Sequence, residues 1–297
     1  MEAQLQPQIK PKPNSFWYQF NIVLQRIVVY TFLILLSFLF LFWMYVLIIN
    51  ATRPSSQIQQ SFSALPGTFL FTNFNTMINN TNIRLVEALW NSFFIASLSA
   101  LLSTYFSALT AYGIHMYHFK LRKIAYVFIL IVMIIPSQVA TIGLLSILYQ
   151  FRLTDNYFVL IVPAISSPAT FFFMKQYMES VLPFEIVESA RVDGSGEIRT
   201  FHQIVLPMIK PALAVQFIFS FVGSWNSFFF PAMIIKSPNK RTVPLIISEL
   251  RQLSNPATFD LGLVYMVIVC AVIPLVVVYF IFSKHIIKGV TLGSIKG

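Results

Sequence analysis

The stretch that decides the fold is residues 183–207, PFEIVESARVDGSGEIRTFHQIVLP, which lies between two long apolar runs. Pro183 suits the first turn of a helix, because the N–H that proline lacks has no partner there. Gly194 stands where that helix should end, since glycine takes a positive φ without a Cβ clash. We therefore expect a helix, a turn and a second helix on a membrane surface, which together form a protrusion that a partner can bind. The segment holds four of the ten acidic residues of the chain, Glu185, Glu188, Asp193 and Glu197.

The second helix of the segment is expected to begin after Ser195, whose hydroxyl can cap its free N–H groups. Glu197 in the first turn would then complement the positive end of the helix dipole. Ile198, Phe201 and Val205 recur at helical spacing and are expected on one face. The pair 206–207, Leu-Pro, is expected to end this helix.

The composition of the rest of the chain indicates a membrane protein. Of its 297 residues, 57% are hydrophobic and 10% are charged, whereas soluble domains average about a quarter charged. Six apolar runs are long enough to cross about 30 Å of hydrocarbon, so we expect an all-α membrane protein with six transmembrane helices. The runs are Ile27–Ile49, Ala88–Ile114, Ile124–Phe151, Asn156–Met174, Pro211–Ile235 and Leu261–Ser283.

The sequence between the runs suggests which segments face water. Residues 54–83 lack charge, but their Ser, Gln, Asn and Thr content would be costly in lipid, so we expect an extracytoplasmic loop. Its Asn-rich part, Thr72–Asn82, is expected to order only in an assembled complex. The first run lacks a small-residue cleavage site and is expected to be an anchor rather than a removed signal peptide.

The lysines and arginines predict the orientation. With the N-terminus inside, 13 of them lie in the cytoplasm and 7 outside, which agrees with the positive-inside rule. Both termini and residues 175–210 are then cytoplasmic. The net charge of +10 is spread over the ends of the runs, where anionic lipid explains it, and it forms no patch typical of nucleic-acid binding.

No catalytic, metal or nucleotide site is expected. Cys270 is single, and His115 and His118 have ligand-compatible spacing but no acidic or Cys partner nearby. Ser189 has no visible His–Asp partners, and the chain lacks the glycine-rich run that cradles phosphates. The six runs contain no Asp, Glu, Lys or Arg, which argues against an ion-coupled secondary transporter.

The 183–207 segment also resembles the signature of ABC importer permeases: Glu-Ala-Ala, three residues, Gly, nine residues, then Ile-x-Leu-Pro. It has Glu188-Ser189-Ala190, then Gly194, then residues 204–207, Ile-Val-Leu-Pro, at the required distances. Only Ser189 departs from the pattern, as a small substitute for alanine. In that family this loop is the coupling helix, which docks in a cleft of a cytoplasmic ATPase. The resemblance implies coupling roles for Glu188, Ser189, Ala190, Asp193, Gly194, Ile204, Leu206 and Pro207.

Within those roles, the resemblance implies that Glu188 faces a basic residue of the ATPase. Ser189 and Ala190 would permit close approach, and Gly194 would make the turn.

Other stretches are similar to the carbohydrate branch of that family, of the maltose type. Residues 225–231 match its Trp-Asn-x-Phe-x-x-Pro, and the last two residues, Lys296 and Gly297, match a tail that touches the ATPase dimer interface. Residues 241–245 correspond to a loop that reaches into the binding protein, although a simple connector explains them equally well. Pro136 is expected to kink its helix. The kink either lines the pathway or serves only the packing of the helices. Polar groups expected along the pathway are Gln138, Ser224 and Asn226.

The resemblance covers about residues 85–297 well and the first 84 only in layout. It implies a sugar-importing permease of the prokaryotic inner membrane, with no enzymatic activity and no cofactor of its own. Its implied partners are a second permease, two ATPases carrying ATP and Mg, and an extracytoplasmic binding protein. A polyol or glycerol-phosphate substrate stays open. The expected division is a cytoplasmic tail (1–25), the first helix with its outside loop (26–84), the permease core (85–284, coupling loop 175–210) and a cytoplasmic tail (285–297).

Overall fold

The computed structural model describes residues 16–81, 83–252 and 260–294, and this part of the chain is helical, without β-strands. The larger helices are α1 (Phe16–Ala51), α2 (Ser55–Gln60), α3 (Leu70–Asn79), α4 (Leu85–Met116), α5 (Arg122–Ile134), α6 (Ser137–Gln150), α7 (Tyr157–Ile161), α8 (Pro168–Val181), α9 (Phe184–Val192), α10 (Glu197–Thr200), α11 (Leu206–Met208), α12 (Lys210–Trp225), α13 (Phe229–Ile234), α14 (Val243–Gln252) and α15 (Leu261–Ser294). Short 3₁₀ turns cover Val162–Ile165 and Pro238–Lys240, and a π-helical turn covers Phe201–Val205.

The all-α membrane fold is confirmed, and its crossings are less regular than the sequence predicts. Four helical stretches in the described residues are long and apolar enough to span a membrane: Tyr18–Ala51, Leu85–Met116, Tyr157–Val181 and Leu261–Ser283. Two further pairs qualify only as bent units, α5 with α6 at 96° and the 197–208 stretch with α12 at 82°. Six crossings result if each bent pair counts as one.

The bend between α5 and α6 confirms the predicted kink at Pro136. Ile135 is extended, with φ −68° and ψ 126°, as a residue before proline tends to be. Pro136 is itself non-helical, with ψ 127°. It also has no N–H to continue the ladder, so the helix stops and restarts in a new direction.

Several helix ends differ from the predicted boundaries. The run Pro211–Ile235 is not one helix, because α12 ends at Trp225 and α13 begins at Phe229. Helix α8 continues past the predicted end at residue 174 to Val181. Helices α1 and α15 also extend into the predicted tails, since α1 begins at Phe16 and α15 runs to Ser294.

Helix α4 is the central element and packs most extensively against α12 and α8, while α1 packs on α15. The small residues of α4 make this possible, since membrane helices approach closely where side chains are small. Ala96, Ala100, Ala108 and Ala111 are fully buried, and the serines at 92, 99, 103 and 107 are buried among them.

The first outside loop is folded within the chain itself. Residues 72–79 belong to helix α3, so the expectation that this part orders only in a complex is wrong. The buried Asn73 explains the order, because its Nδ2 donates to the carbonyl oxygens of Ala51 at 2.9 Å and Arg53 at 3.0 Å. These bonds satisfy backbone groups just beyond the end of α1.

Candidate functional site

The first half of the 183–207 segment forms the predicted helix and turn. Helix α9 spans Phe184–Val192 after Pro183, and Gly194 has the predicted positive φ, 77°. The N–H of Gly194 donates to the Arg191 carbonyl at 3.0 Å, and that of Ser195 to the Ala190 carbonyl at 2.9 Å. This pair of bonds is a Schellman C-cap, which satisfies carbonyls that a helix end otherwise leaves free.

The second half differs from the prediction. Ser195 is not the N-cap of α10, which is Gly196 without a side-chain cap. The reason is that Ser195 completes the preceding cap with its N–H, while its hydroxyl accepts from Thr200 Oγ1 at 2.9 Å. Ile198 is 79% exposed and does not share the buried face of Phe201 and Val205.

The helix also continues past 206–207 rather than ending there. The N–H of Leu206 donates to the carbonyl of Phe201 five residues earlier, which widens the helix into a π turn. Pro207 follows inside α11, and the chain turns only at Ile209 before α12. Because Pro207 has no N–H, the carbonyl of residue 203 receives no α-helical bond from it.

One face of this segment is open to solvent and combines acidic with apolar groups. Glu188, Ser189, Asp193 and Gly194 are exposed. Val192 is 88% exposed at the end of α9, close along the chain to the exposed Ile198. This face therefore carries both carboxylates and two exposed apolar side chains.

The opposite face is buried against the chain itself. Val187 is fully buried, in one cluster with Tyr112 and with Met174 and Met178 of α8. Ala190, one turn further along α9, is also buried. Of the predicted signature residues, Ala190 therefore points inward, while Ile204 and Leu206 are half-buried and Pro207 is exposed.

Polar contacts join the segment to the C-terminal end of α4. The Nε2 of His115 lies 3.1 Å from the Leu182 carbonyl oxygen, and the hydroxyl of Tyr112 donates to Glu197 Oε2 at 2.9 Å. The Nε of Arg191 donates to Glu197 Oε1 at 2.7 Å. This hydrogen bond raises the pKa of Arg191 above its usual value, so the guanidinium stays charged at neutral pH.

Sequence reasoning missed this network. It assigned Glu197 to a helix dipole and considered His115 as a metal ligand, because no local pattern relates residues 85 or 67 positions apart. The tyrosine and histidine three apart near the end of α4 were the available signal, since such residues lie on one helix face.

The three predicted pathway residues are not brought together. Asn226 lines a cavity of about 360 Å³ with α14 and α15, whereas Ser224 lines a separate one of about 30 Å³ with Ser92 and Thr242. Gln138 lines neither cavity and is exposed at the start of α6. A shared solute site therefore does not form from these residues in this conformation.

The outside loop expected at 241–245 is held against α4. Asn91 Nδ2 donates to the carbonyls of Asn239 at 2.8 Å and Arg241 at 3.0 Å. The N–H of Val243 donates to Ser92 Oγ at 2.8 Å. These contacts favour the connector interpretation for 241–245 over a loop that reaches outward.

The predicted C-terminal contact residues, Lys296 and Gly297, lie outside the described residues. Within the described ranges, no three His, Cys, Asp or Glu side chains come together as a candidate metal site.

Comparison with known proteins gives consistent matches over most of the chain. Residues 103–292 match the family model of binding-protein-dependent transport system inner membrane components. The chain is 31% identical to the arabinooligosaccharides transport system permease protein AraQ of Bacillus subtilis (strain 168), covering 92% of this chain and 96% of AraQ. It is 30% identical to the lactose transport system permease protein LacG of Rhizobium radiobacter, covering 92% and 97%.

A solved structure agrees with the fold. A chain of a bacterial ABC transporter involved in the import of the acidic polysaccharide alginate superposes with a TM-score of 0.76 at 18% identity, covering 92% of this chain and 98% of that one.

Proposed function

Because the chain belongs to the family of binding-protein-dependent transport system inner membrane components, we propose that it is the permease of an ATP-driven importer of a sugar or oligosaccharide. As a membrane component of a transport system it works in a complex with other subunits and is not itself the enzyme. The proposal that this chain couples to an ATPase is supported mainly by the 183–207 segment. Its exposed face carries acidic and apolar side chains, and its first helix ends in a turn at Gly194, which has φ 77°.

The carbohydrate class is supported by the relatives. AraQ and LacG are named for arabinooligosaccharides and lactose, and each aligns over almost its whole length. The Trp-Asn-x-Phe-x-x-Pro stretch at 225–231 agrees with this class, and Asn226 opens into the cavity of about 360 Å³. We therefore assign this chain a saccharide that an extracytoplasmic binding protein delivers.

The energy enters from the cytoplasmic side, through a separate ATPase. The six predicted spans contain no Asp, Glu, Lys or Arg, so the membrane interior offers no charged group to relay a coupling ion. In the proposed complex each ATPase receives one coupling helix, with Glu188 against a basic residue and Val192 and Ile198 in an apolar pocket. A second, similar permease supplies the other coupling helix, and ATP and Mg stay on the ATPases.

Closure of the two ATPases displaces α9, and the contacts to α4 and α8 carry that displacement into the membrane. The pathway then opens alternately to either side. In this arrangement both termini of the chain lie in the cytoplasm, which agrees with the positive-inside distribution of charge.

The test is a mild-detergent purification of the tagged chain, followed by transport in proteoliposomes with the subunits that co-purify. We expect an ATPase, a second permease and a binding protein, and ATP-dependent uptake of arabinooligosaccharides, lactose or maltodextrins. Uptake competed only by polyols or glycerol phosphate would contradict the carbohydrate assignment. A chain that purifies alone in a detergent that preserves such complexes would contradict the importer itself.

A further inference from the structure

Helix α9 is attached to α4 at both of its ends. At its start, the buried His115 contacts the Leu182 carbonyl at 3.1 Å, and its ring centre lies 4.9 Å from that of Phe184. Beyond its end, the buried Tyr112 donates to Glu197 at 2.9 Å. Tyr112 and His115 are three residues apart, so both attachments come from the same face of the last turn of α4.

Glu197 joins three elements at the second attachment. One carboxylate oxygen accepts from Tyr112 of α4, and the other accepts from Arg191 in the last turn of α9 at 2.7 Å. The guanidinium of Arg191 also lies 5.2 Å from the centre of the Tyr117 ring, just beyond α4. Hydrogen bonds that involve a charged group are roughly twice as strong as neutral ones, so Glu197 provides a charge-assisted link between α9 and α4.

The apolar contacts of the segment cannot replace this link. Val187, Phe201 and Val205 are buried, and the ring of Phe201 lies 5.4 Å from that of Tyr112. Burial of apolar surface is non-directional, so it keeps the segment on the protein without fixing the angle of α9. The two ends of the nine-residue helix fix that angle, and one of them depends on Glu197.

We propose that Glu197 is a positioning residue for energy coupling: by bridging Arg191 and Tyr112 it makes α9 and α4 move together when the partner pushes on α9. This role rests on the proposed function of the 183–207 segment. Without the bridge, α9 pivots about its attachment at His115. The exposed face that meets the ATPase stays intact, so ATP is still hydrolysed while less solute is moved.

The experiment measures solute transported per ATP hydrolysed, in proteoliposomes of the whole complex with its binding protein. Glu197→Ala removes both hydrogen bonds, and we expect the ratio to fall at least about tenfold, which is the factor for losing one hydrogen bond to a charged group. Glu197→Gln keeps an acceptor for Tyr112 but loses the ion pair, so its ratio should lie between those of the wild type and Glu197→Ala. The matched control is Glu87→Gln, which removes the exposed ion pair with Arg84 at the other end of α4 and should leave the ratio unchanged.

Two further variants separate positioning from folding. Tyr112→Phe keeps the ring packing and removes only the hydroxyl, so it should lower the ratio even if Glu197→Ala fails to assemble. Exchanging the charges, Arg191→Glu with Glu197→Arg, restores the ion pair and should recover part of the ratio lost by either single change. A merely structural role would lower the amount of complex and leave its ratio unchanged.

Each outcome decides between the alternatives. Wild-type ratios for both Glu197→Ala and Tyr112→Phe, in a wild-type complex that performs ATP-driven uptake, would overturn the positioning role alone. If the Glu197→Ala complex no longer binds the ATPase, Glu197 acts in docking, and this result would also overturn its positioning role. A wild-type complex without ATP-driven uptake of any saccharide would instead contradict the proposed function, and the role of Glu197 with it.

Discussion

Replacing Gly194 tests whether the conformation of the turn after α9 is needed for coupling. Its φ of 77° lies in the left-handed region, and a Cβ added there would meet no other atom within 4 Å. The cost of a side chain at this position is therefore a backbone cost alone. For an ordinary L-residue that cost is about 1–2 kcal/mol, which corresponds to a roughly 5–30-fold smaller population of the native turn.

A series of substitutions converts this cost into an order of activities. Asparagine visits the left-handed region more readily than alanine, so Gly194→Asn should retain more uptake than Gly194→Ala. Gly194→Pro fixes φ near −65° and removes the N–H that bonds the Arg191 carbonyl at 3.0 Å, at a cost of about 3 kcal/mol or more. We expect ATP-driven uptake in the order Gly, Asn, Ala, Pro, with the proline variant near background.

The assay pairs the initial rate of uptake per assembled complex with amide hydrogen exchange of residues 191–200. Exchange in the alanine variant should be about tenfold faster than in the wild type, because the turn opens more often. Gly196→Ser is the matched control, since Gly196 has φ −69° and its Cβ would also meet no atom within 4 Å. Full uptake by the Gly194→Pro complex would refute the coupling role of this turn.

Three further changes test contacts at the end of the protein opposite the 183–207 segment. Asp155→Asn removes the carboxylate that binds the backbone and hydroxyl of Ser237; the hydrogen bonds from Ser237 hold its pKa well below the usual range. This contribution to stability is present above the ordinary carboxyl pKa and is lost as the pH falls below it. We therefore expect the unfolding midpoint of the variant to lie below that of the wild type by a constant amount from pH 8 to 5, and the difference to shrink at lower pH. Gly262→Ala would place Cβ 2.7 Å from the Arg53 carbonyl oxygen and should cost about 1–3 kcal/mol by thermal unfolding in detergent; a wild-type midpoint would contradict that close contact. Ser92→Ala leaves the buried N–H at the start of α14 without its acceptor, and faster exchange of that amide with a loss of about 1–3 kcal/mol is expected.

The sequence predicted the class of the fold because hydrophobic length is a property of single segments. It did not predict where the spans break, since a run such as Pro211–Ile235 is equally apolar on both sides of its interruption at Asn226. Pro136 was the exception, because the missing N–H of a proline is visible in the sequence. The end of α8 was placed at residue 174 instead of Val181, because hydropathy falls at Lys175. The helix continues beyond this point, and Lys175 and Glu179 form an ion pair on it.

In the candidate site, too, the features that depend on single residues were predictable and those that depend on packing were not. The φ of Gly194 was predictable because it depends on one residue and its position after a helix. The start of α10 was predicted wrongly, because Ser195 is used by the preceding cap and by Thr200. The bridge from Tyr112 to Glu197 depends on how α4 and the 183–207 segment pack, and 85 positions of chain separate its two ends.

Helix α4 connects the contacts made by Asn91 and Ser92 at one of its ends with those made by Tyr112 and His115 at the other. Its 32 residues form one uninterrupted helix, of roughly 48 Å. Near its outer end Asn91 and Ser92 hold the backbone of 239–243, and near its inner end Tyr112 and His115 hold α9. The 21 residue-to-residue steps from Asn91 to Tyr112 span about 32 Å, close to the thickness of the hydrocarbon core. Because both ends are fastened by directional hydrogen bonds to one uninterrupted helix, we expect a displacement of α9 in the proposed importer to displace residues 239–243 as well, even though the predicted spans contain no charge.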